Sequence, residues 1–539
     1  MTSEVGAGAE GNAGTITVDA ASLSLRDNAQ IRALTSGRGD GGNLHIQVGD
    51  TLSIEGGRGG FSGLSSRVDS GAEGNAGTIA IRAGSFSLRD FAFVDSLTSG
   101  QGNGGNLSIH VKDAFSIEGG RNGASGLSSQ VDTRAEGNAG TISIHTGSLS
   151  IGNNAGISSS TSGRGNGGNL SIHVGNTFSV EGGRNGESRV SSVVSPGAIG
   201  NAGTITIHAD SLSLRNRAQI RSSAAGQGNA GDIGIRVSDR FSIEGDTFRD
   251  SRGNRTSDGI YSETSRGGLN AGNISIDAGS LVFNGRATVS SLTNSSRARV
   301  GGNIQINADT IHLSDTSAII TSVQRGEAQA GDISINTNDF LVLQDGSDIL
   351  ATANQGQGGR INIVAPIFFA SGYNPANPSN QGISTADVDR LRRNNQVDIS
   401  ATSQASTPGT VDISTRLIFS ESALTPVAVT LTPPEQVIAG SCLARRNVAQ
   451  DRFVVTGSGG LPPTPDEWLS SPYELTQVRP LSGEAIAPSS PVPQASGWQL
   501  GDPIDEAQGL YATADGHLLL SMAAPESAIA PPQAAVCDR

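Results

Sequence analysis

The chain predicts an all-β fold, a right-handed parallel β-helix of about thirteen coils, each roughly 28–35 residues long. Three observations predict it. The motif Gly-Asn-Ala-Gly-Thr-Ile begins at Gly11, Gly74, Gly137 and Gly200, a strict period of 63 residues. Between its copies, Gly-Gly-Asn-Leu begins at Gly41, Gly104 and Gly167 with the same period. Inside each unit apolar and polar residues alternate, as a strand with one buried face requires. Self-similarity at such a period marks an array whose units stack on their neighbours. Right-handedness follows from the general preference of parallel crossovers.

The super-repeat divides into single coils. Aligned glycines fall at Gly14, Gly42, Gly77, Gly105, Gly140 and Gly168, then Gly203, Gly231, Gly272, Gly302, Gly331 and Gly359. A last coil opens at Gly409. Each unit reads as three short strands; in the first they are 15–19, 22–25 and 29–34. Their pleat turns Ile16, Val18, Leu23, Leu25 and Ile31 inward. Later coils repeat the pattern with Ile79, Ile81, Ile142 and Ile144. Links rich in Ser, Gly, Asn and Asp carry the turns. Coils stacked about 4.8 Å apart make a rod of roughly 60 Å. Aromatics are only 4% of residues, while Gly numbers 74, so the core has to be narrow and aliphatic.

The pattern decays after Gly359. Residues 371–396 read as an insertion, with a Pro-Asn breaker cluster and a short helix whose capping-box start is Ser384. The array resumes at Val397 and ends near residue 420. Beyond it, 421–474 read as a capping segment and 475–496 as a Pro-rich linker. Residues 497–539 read as a terminal hairpin, turning at Asp515-Gly516, and a tail. The first residues already match the junction found one period later, so the expectation is that the chain starts in mid-array and that a preceding part is missing.

Charge narrows the function. The formal net charge is −14, which argues against nucleic acid. No run approaches the ~18 apolar residues of a spanning helix. The two cysteines, Cys442 and Cys537, lie outside the repeats without a CxxC partner, which disfavours zinc. A disulfide and two free thiols both remain open.

The coils, written Gly-Asn-Ala-Gly-Thr-Ile-Thr-Ile and Gly-Gly-Asn-Leu-Ser-Ile-His-Val, resemble the filamentous haemagglutinin-like exoproteins of cyanobacteria. Gly409-Thr-Val-Asp-Ile and the stretch from Arg452-Phe-Val-Val-Thr-Gly to Pro-Pro-Thr-Pro resemble them too. The resemblance implies two-partner secretion: an outer-membrane β-barrel transporter exports the rod, which folds outside and serves adhesion. It implies a secreted or cell-surface location, with glycans or surface proteins as partners and no cofactor. Against that family's pattern, the expectation is that its signal peptide and secretion domain belong to the missing part that precedes this stretch. The resemblance also suggests a Cys442–Cys537 loop holding the rod at the surface, because some relatives use a C-terminal cysteine pair that way; unrelated thiols are the alternative.

Several residue sets are candidates for binding. His110, His145, His173 and His208 share one offset in four consecutive coils and face outward. Such a column suits Zn²⁺ or Cu²⁺, or a pH-sensitive strip with depressed pKa values. A solvated column inherited by duplication is the plainer reading, since other coils put Asp19, Gln47, Arg82 and Asn307 there.

The longer coils share Glu-Gly-Gly-Arg, giving Glu55/Arg58, Glu118/Arg121 and Glu181/Arg184, with extra loops at one corner. Rows of loops on one side are where solenoids bind. Surface turns with local ion pairs are the alternative. The longest loop, 249–266, adds Arg249, Arg252, Arg255 and Tyr261 as contact residues. Arg38-Gly39-Asp40 forms an RGD tripeptide, but equivalent turns differ from it by one Asn/Asp exchange, which favours chance over receptor recognition.

No nucleophile elbow, zincin motif, phosphate loop or calcium nonapeptide appears, and no coil carries a dense carboxylate cluster. The sequence therefore predicts a non-catalytic, rod-like adhesin that displays corner loops. A structural sheath protein is the main alternative. A polysaccharide-degrading β-helix enzyme is the more remote one.

Overall fold

The computed structural model describes residues 1–419, except 122, 184–185, 250–254, 266, 372, 374–387 and 393, together with 509–512 and 518–521. Two compact units divide the chain, Met1–Thr430 and Leu431–Arg539.

The first unit is a parallel β-solenoid of about twelve turns. One sheet of thirteen strands collects the last strand of each coil; a second, of sixteen strands, collects the earlier ones. Every pairing between coils is parallel, so neighbours in space are successive turns of the chain. The strand Ile142–Gly152, for example, lies between Leu107–Glu118 and the segments from Leu170 to Glu181. A third side is narrower. There single parallel bridges link Glu10, Arg38, Glu73, Gln101, Glu136, Arg164, Ile199 and Gln227 in one column.

The expected three strands per coil become two in most turns. Leu44–Glu55, Ile79–Arg89 and Leu107–Glu118 each run through the first corner as one strand. Register shifts near that corner show why: the link residues form a bulge, not a turn, and the backbone ladder continues past it. The first coil keeps separate strands, Ile16–Ala20 and Leu23–Leu25.

The core is one continuous column of aliphatics with phenylalanines interspersed. Ile79, Ile81, Ile142 and Ile144 are at most 1% exposed. Ile16, Leu25 and Ile31 are buried as expected, while Val18 and Leu23, in the first coil, are only partly covered. Phe86 and Phe115 stack face to face inside, with ring centroids 4.6 Å apart. Because every inner residue rests on the equivalents above and below, burial is shared between coils and no coil is stable alone.

The repeated motifs are stacking devices. A Cβ on Gly42, Gly77, Gly105, Gly140, Gly168, Gly203 or Gly231 would run into the carbonyl oxygen of the aligned glycine one coil earlier, and the same holds on to Gly409. Only glycine permits that approach. Next to this column, buried serines tie the sheets together. Ser129 Oγ donates to Gly105 O (3.0 Å) and accepts from Gly140 N (2.7 Å); Ser66, Ser96, Ser159, Ser192 and Ser222 do the same. Each buried hydroxyl thereby has both a donor and an acceptor role filled.

Asparagine side chains form a further ladder. Asn75 Oδ1 accepts from Asn103 N (2.9 Å), Asn103 Oδ1 from Asn138 N (2.8 Å), Asn138 Oδ1 from Asn166 N (2.8 Å) and Asn166 Oδ1 from Asn201 N (2.8 Å). Asp40 is the rung before Asn75, whose backbone N–H it accepts at 2.7 Å.

The insertion is followed, as expected, by a return to the array. Asp398–Ser400 pairs with Asp348–Leu350, and Thr410–Phe419 pairs with Arg360–Ala370. A helix of one turn, Val388–Leu391, precedes that return. Leu391 packs with Ala318, Ile320 and Leu350, covering an outer face of the sheet. Ser384, its expected start, lies outside the described residues. In the second unit, Gly509–Ala512 and Leu518–Ser521 pair antiparallel, the expected hairpin; its turn and residues 421–508 lie outside the described residues. No helix among the described residues is long and apolar enough to cross a membrane.

Candidate ligand-binding groove

The corner that carries the Glu-Gly-Gly-Arg turns is built by alternation. Short coils turn there on a pair of residues with positive φ: Asp27-Asn28, Asp90-Phe91, Asn153-Asn154 and Asn216-Arg217. Long coils interpose a tight loop, closed by an antiparallel bridge between Gly57 and Gly60 in one and between Gly183 and Gly186 in another. Gly120 N bonds Gly123 O (2.9 Å) at the equivalent place.

Among the described residues, Glu55 and Glu118 do not pair with the arginines of their own motifs, Arg58 and Arg121. Glu55 meets Arg26 (3.7 Å), Glu118 meets Arg89 (3.9 Å), and Glu181 meets Arg215 (2.9 Å), each on an adjacent coil. Glu181 also accepts from Asn216 Nδ2 at 2.8 Å. Stacking places position 55 beside 26 and 89, which sequence spacing hides. Arg58 and Arg121 are exposed in the loop turns, and no ion pair among the described residues involves them. Arg184 lies outside the described residues.

The 249–266 loop also differs from expectation. Thr247–Arg249 and Arg255–Ser257 pair antiparallel, with Arg249 opposite Arg255; Arg252 lies outside the described residues. Tyr261 is no surface contact. It sits in the strand Gly259–Thr264, 7% exposed, and its hydroxyl donates to Ser257 O at 2.8 Å. Beside it, Arg392 from the insertion donates to the hydroxyl of Thr288, which lies across from Gly259 in the next coil.

The four histidines do form one outward column, in register from His110 to His145, His173 and His208. Ring centroids are 6.3, 4.8 and 4.6 Å apart. Arg82 and Arg236 flank the column at its two ends. Partial burial, then repulsion from His173 and His110, holds His145 below the usual imidazole range; burial, then His208, does the same for His173. Only the His145 and His173 rings lie parallel, at 4°; His110 is tilted 31° from His145 and His208 stands at 75° to His173. Among the described residues no group of three or more His, Cys, Asp or Glu is arranged to hold a metal ion. Spacing along a column is thus a poor guide to chelation, which needs donors aimed at one point. Cys442 and Cys537 lie outside the described residues.

The RGD tripeptide is tied into the solenoid. Arg38 reaches Glu10 (3.7 Å) and Glu73 (3.5 Å), and Asp40 is a rung of the asparagine ladder. Both side chains are used in stacking.

What sequence reasoning missed is a groove of about 620 Å³ beside the loop row. Its floor is the outward column Phe93, Gly126, Gly156, Arg189 of the thirteen-stranded sheet, in register across four coils. Two side-chain-free positions leave a trough between a ring and a guanidinium. Three coil steps make it about 14 Å long. Phe93 stands edge-on to Phe61 (6.2 Å) and Phe91 (5.6 Å), and Phe61 edge-on to Phe91 (6.2 Å); all three are partly exposed. At the other end Glu187 and Arg189 form an ion pair. Ser128, Ser158 and Ser191 run alongside, and Ser191 Oγ donates to Ser158 Oγ at 3.4 Å. Asn154, from a positive-φ turn, lines the loop side.

A second, more open depression lies at the end of the histidine column, lined by His208, Asp210, Arg236, Asp277 and Asp309. Its carboxylates are already engaged. Asp210 accepts from Ser238 (2.7 Å), Asp277 from Asn307 (2.7 Å) and Asp309 from Asn338 (2.6 Å). The groove beside the loops, with its row of hydroxyls and fixed rings, is the better binding surface.

Comparison of the chain with protein-family models, with curated proteins and with solved structures gives no match.

Proposed function

We propose that this chain is a non-catalytic, surface-displayed adhesin, exported by an outer-membrane β-barrel transporter, whose solenoid presents one corner to glycans or surface proteins. The observation that carries this reading is the coincidence of the loop row with the groove. Turns closed between Gly57 and Gly60, Gly120 and Gly123, and Gly183 and Gly186 share one corner, and the groove is lined by Ala124, Gly186 and Glu187 beside the second and third of them. The resemblance of the repeats to filamentous haemagglutinin-like exoproteins supports export and adhesion. A rigid stack holds such contacts at fixed spacing, so weak contacts add through avidity.

Retention of the purified chain on surfaces coated with defined glycans or with extracted cell envelopes tests the reading. Saturable retention on a defined subset supports an adhesin. Uniform, non-saturable retention, or none on any surface, refutes it in favour of a sheath protein. The transporter is tested by co-expressing the barrel encoded nearest this gene and scoring export of the full-length product.

A further inference from the structure

Building on that reading, we infer that the groove floored by Gly126 and Gly156 binds a short stretch of neutral oligosaccharide lying along the coil axis. The chemistry is specific to sugars. Phe93 gives a partly exposed ring, held in place by edge contacts with Phe61 and Phe91. A fixed ring at low entropic cost suits the aliphatic face of a pyranose.

Beyond the ring, the glycine floor lets a flat ligand approach the sheet. The hydroxyls of Ser128 and Ser158 and the carboxamide of Asn154 border it, each able both to donate and to accept, as sugar hydroxyls require. The far end is closed by Glu187 against Arg189, a pair whose charges cancel and whose polar atoms suit hydroxyls. The charged residues lining the groove are Glu187, Arg189 and Arg217; with Glu187 and Arg189 paired, the groove lacks the clustered cations that hold a polyanion against a chain of net charge −14.

An extended peptide is disfavoured by topology. The floor strands Ser125–Val131 and Ala155–Thr161 are paired on both edges, so no backbone ladder is free to receive another strand. Neighbouring coils do not repeat the site: Gly63 precedes Phe93 in the floor column, and Gln219 follows Arg189. The duplicated array has therefore acquired one distinctive groove.

Titration calorimetry of the full chain against neutral hexasaccharides of glucose, mannose and xylose, with hexagalacturonate as an acidic arm, tests the inference. At least one neutral sugar should bind. Phe93→Ala should weaken it by about tenfold or more, as loss of a central aromatic anchor does. Ser158→Tyr, which fills the trough from a solvent-facing position, should abolish it. Gln305→Ala, on the other sheet, should change nothing. Melting curves matching the parent show that the variants fold. Binding of no neutral sugar, binding of the acidic arm alone, or binding unaffected by both groove variants overturns the inference. Adhesion that persists unchanged in both variants would remove the groove and leave the adhesin; adhesion to no surface would remove the adhesin itself.

Discussion

Replacing Gly140 by alanine isolates what holds one coil on the next. An added Cβ would collide with the carbonyl group of Gly105, and backbone cannot swing aside as a side chain can. Overpacking of this kind costs about 1–3 kcal/mol. The displacement also loosens two hydrogen bonds, Gly140 N to Ser129 Oγ (2.7 Å) and Ser159 Oγ to Gly140 O (2.8 Å). At about 1 kcal/mol each, the expected total is about 3–5 kcal/mol. Gly175 is the matched control. A Cβ there has no atom nearer than 3.8 Å and its φ is not positive, so Gly175→Ala should be neutral or slightly stabilising. Urea unfolding followed by far-ultraviolet circular dichroism compares the two midpoints. Equal midpoints for Gly140→Ala and Gly175→Ala would refute glycine stacking as the reason for the motif.

Three further outcomes follow from the same geometry. Burial, then the neighbouring Asp398, pushes the Asp348 carboxyl up to about 8 from an ordinary 3.8, so the native state resists its ionisation. Its contribution to stability is therefore full below pH 4 and lost as pH rises through 8; Asp348→Asn, which keeps an acceptor for Asp398 N, should flatten that loss and raise the urea midpoint at pH 8. His145 and His173 should titrate below an unperturbed histidine by NMR; their depressed values mean stability present above about pH 6.5 and lost as pH falls through the native-state values, and ordinary titration of both would refute the packed column. Glu118→Gln should change the unfolding free energy from urea titration by no more than about 0.5 kcal/mol, because its pair with Arg89 is half exposed and spans 3.9 Å.

The stacking plan was legible because it is local. Alternation of Ile79 and Ile81 with polar neighbours is read within one strand, and the 63-residue spacing of the glycines, two coils long, is read along the chain without any lateral contact. Lateral relations were not legible. Ser129 shares the inward parity of Leu127 and Val131, but its bonds to Gly105 and Gly140, which are adjacent only through stacking, cannot be read from one coil. Tyr261 reads as a loop aromatic because the pairing of its strand with neighbouring coils joins residues about 30–40 positions away, beyond the reach of local pattern. The groove left the faintest trace. It is made by what Gly126 and Gly156 lack, and by rings from positions 61, 91 and 93 that only coil stacking gathers.

A distance between Ser108 and Gln305 tests the architecture most directly. These outward residues lie in one column, reached through Ser143, Ser171, Thr206, Gly234 and Ser275. Six coil steps place them about 29 Å apart. Spin labels on cysteines at both sites, with Cys442 and Cys537 changed to serine, should give one narrow distribution near that distance by pulsed electron resonance. A broad distribution, or one centred beyond about twice that value, would contradict a solenoid of stacked coils.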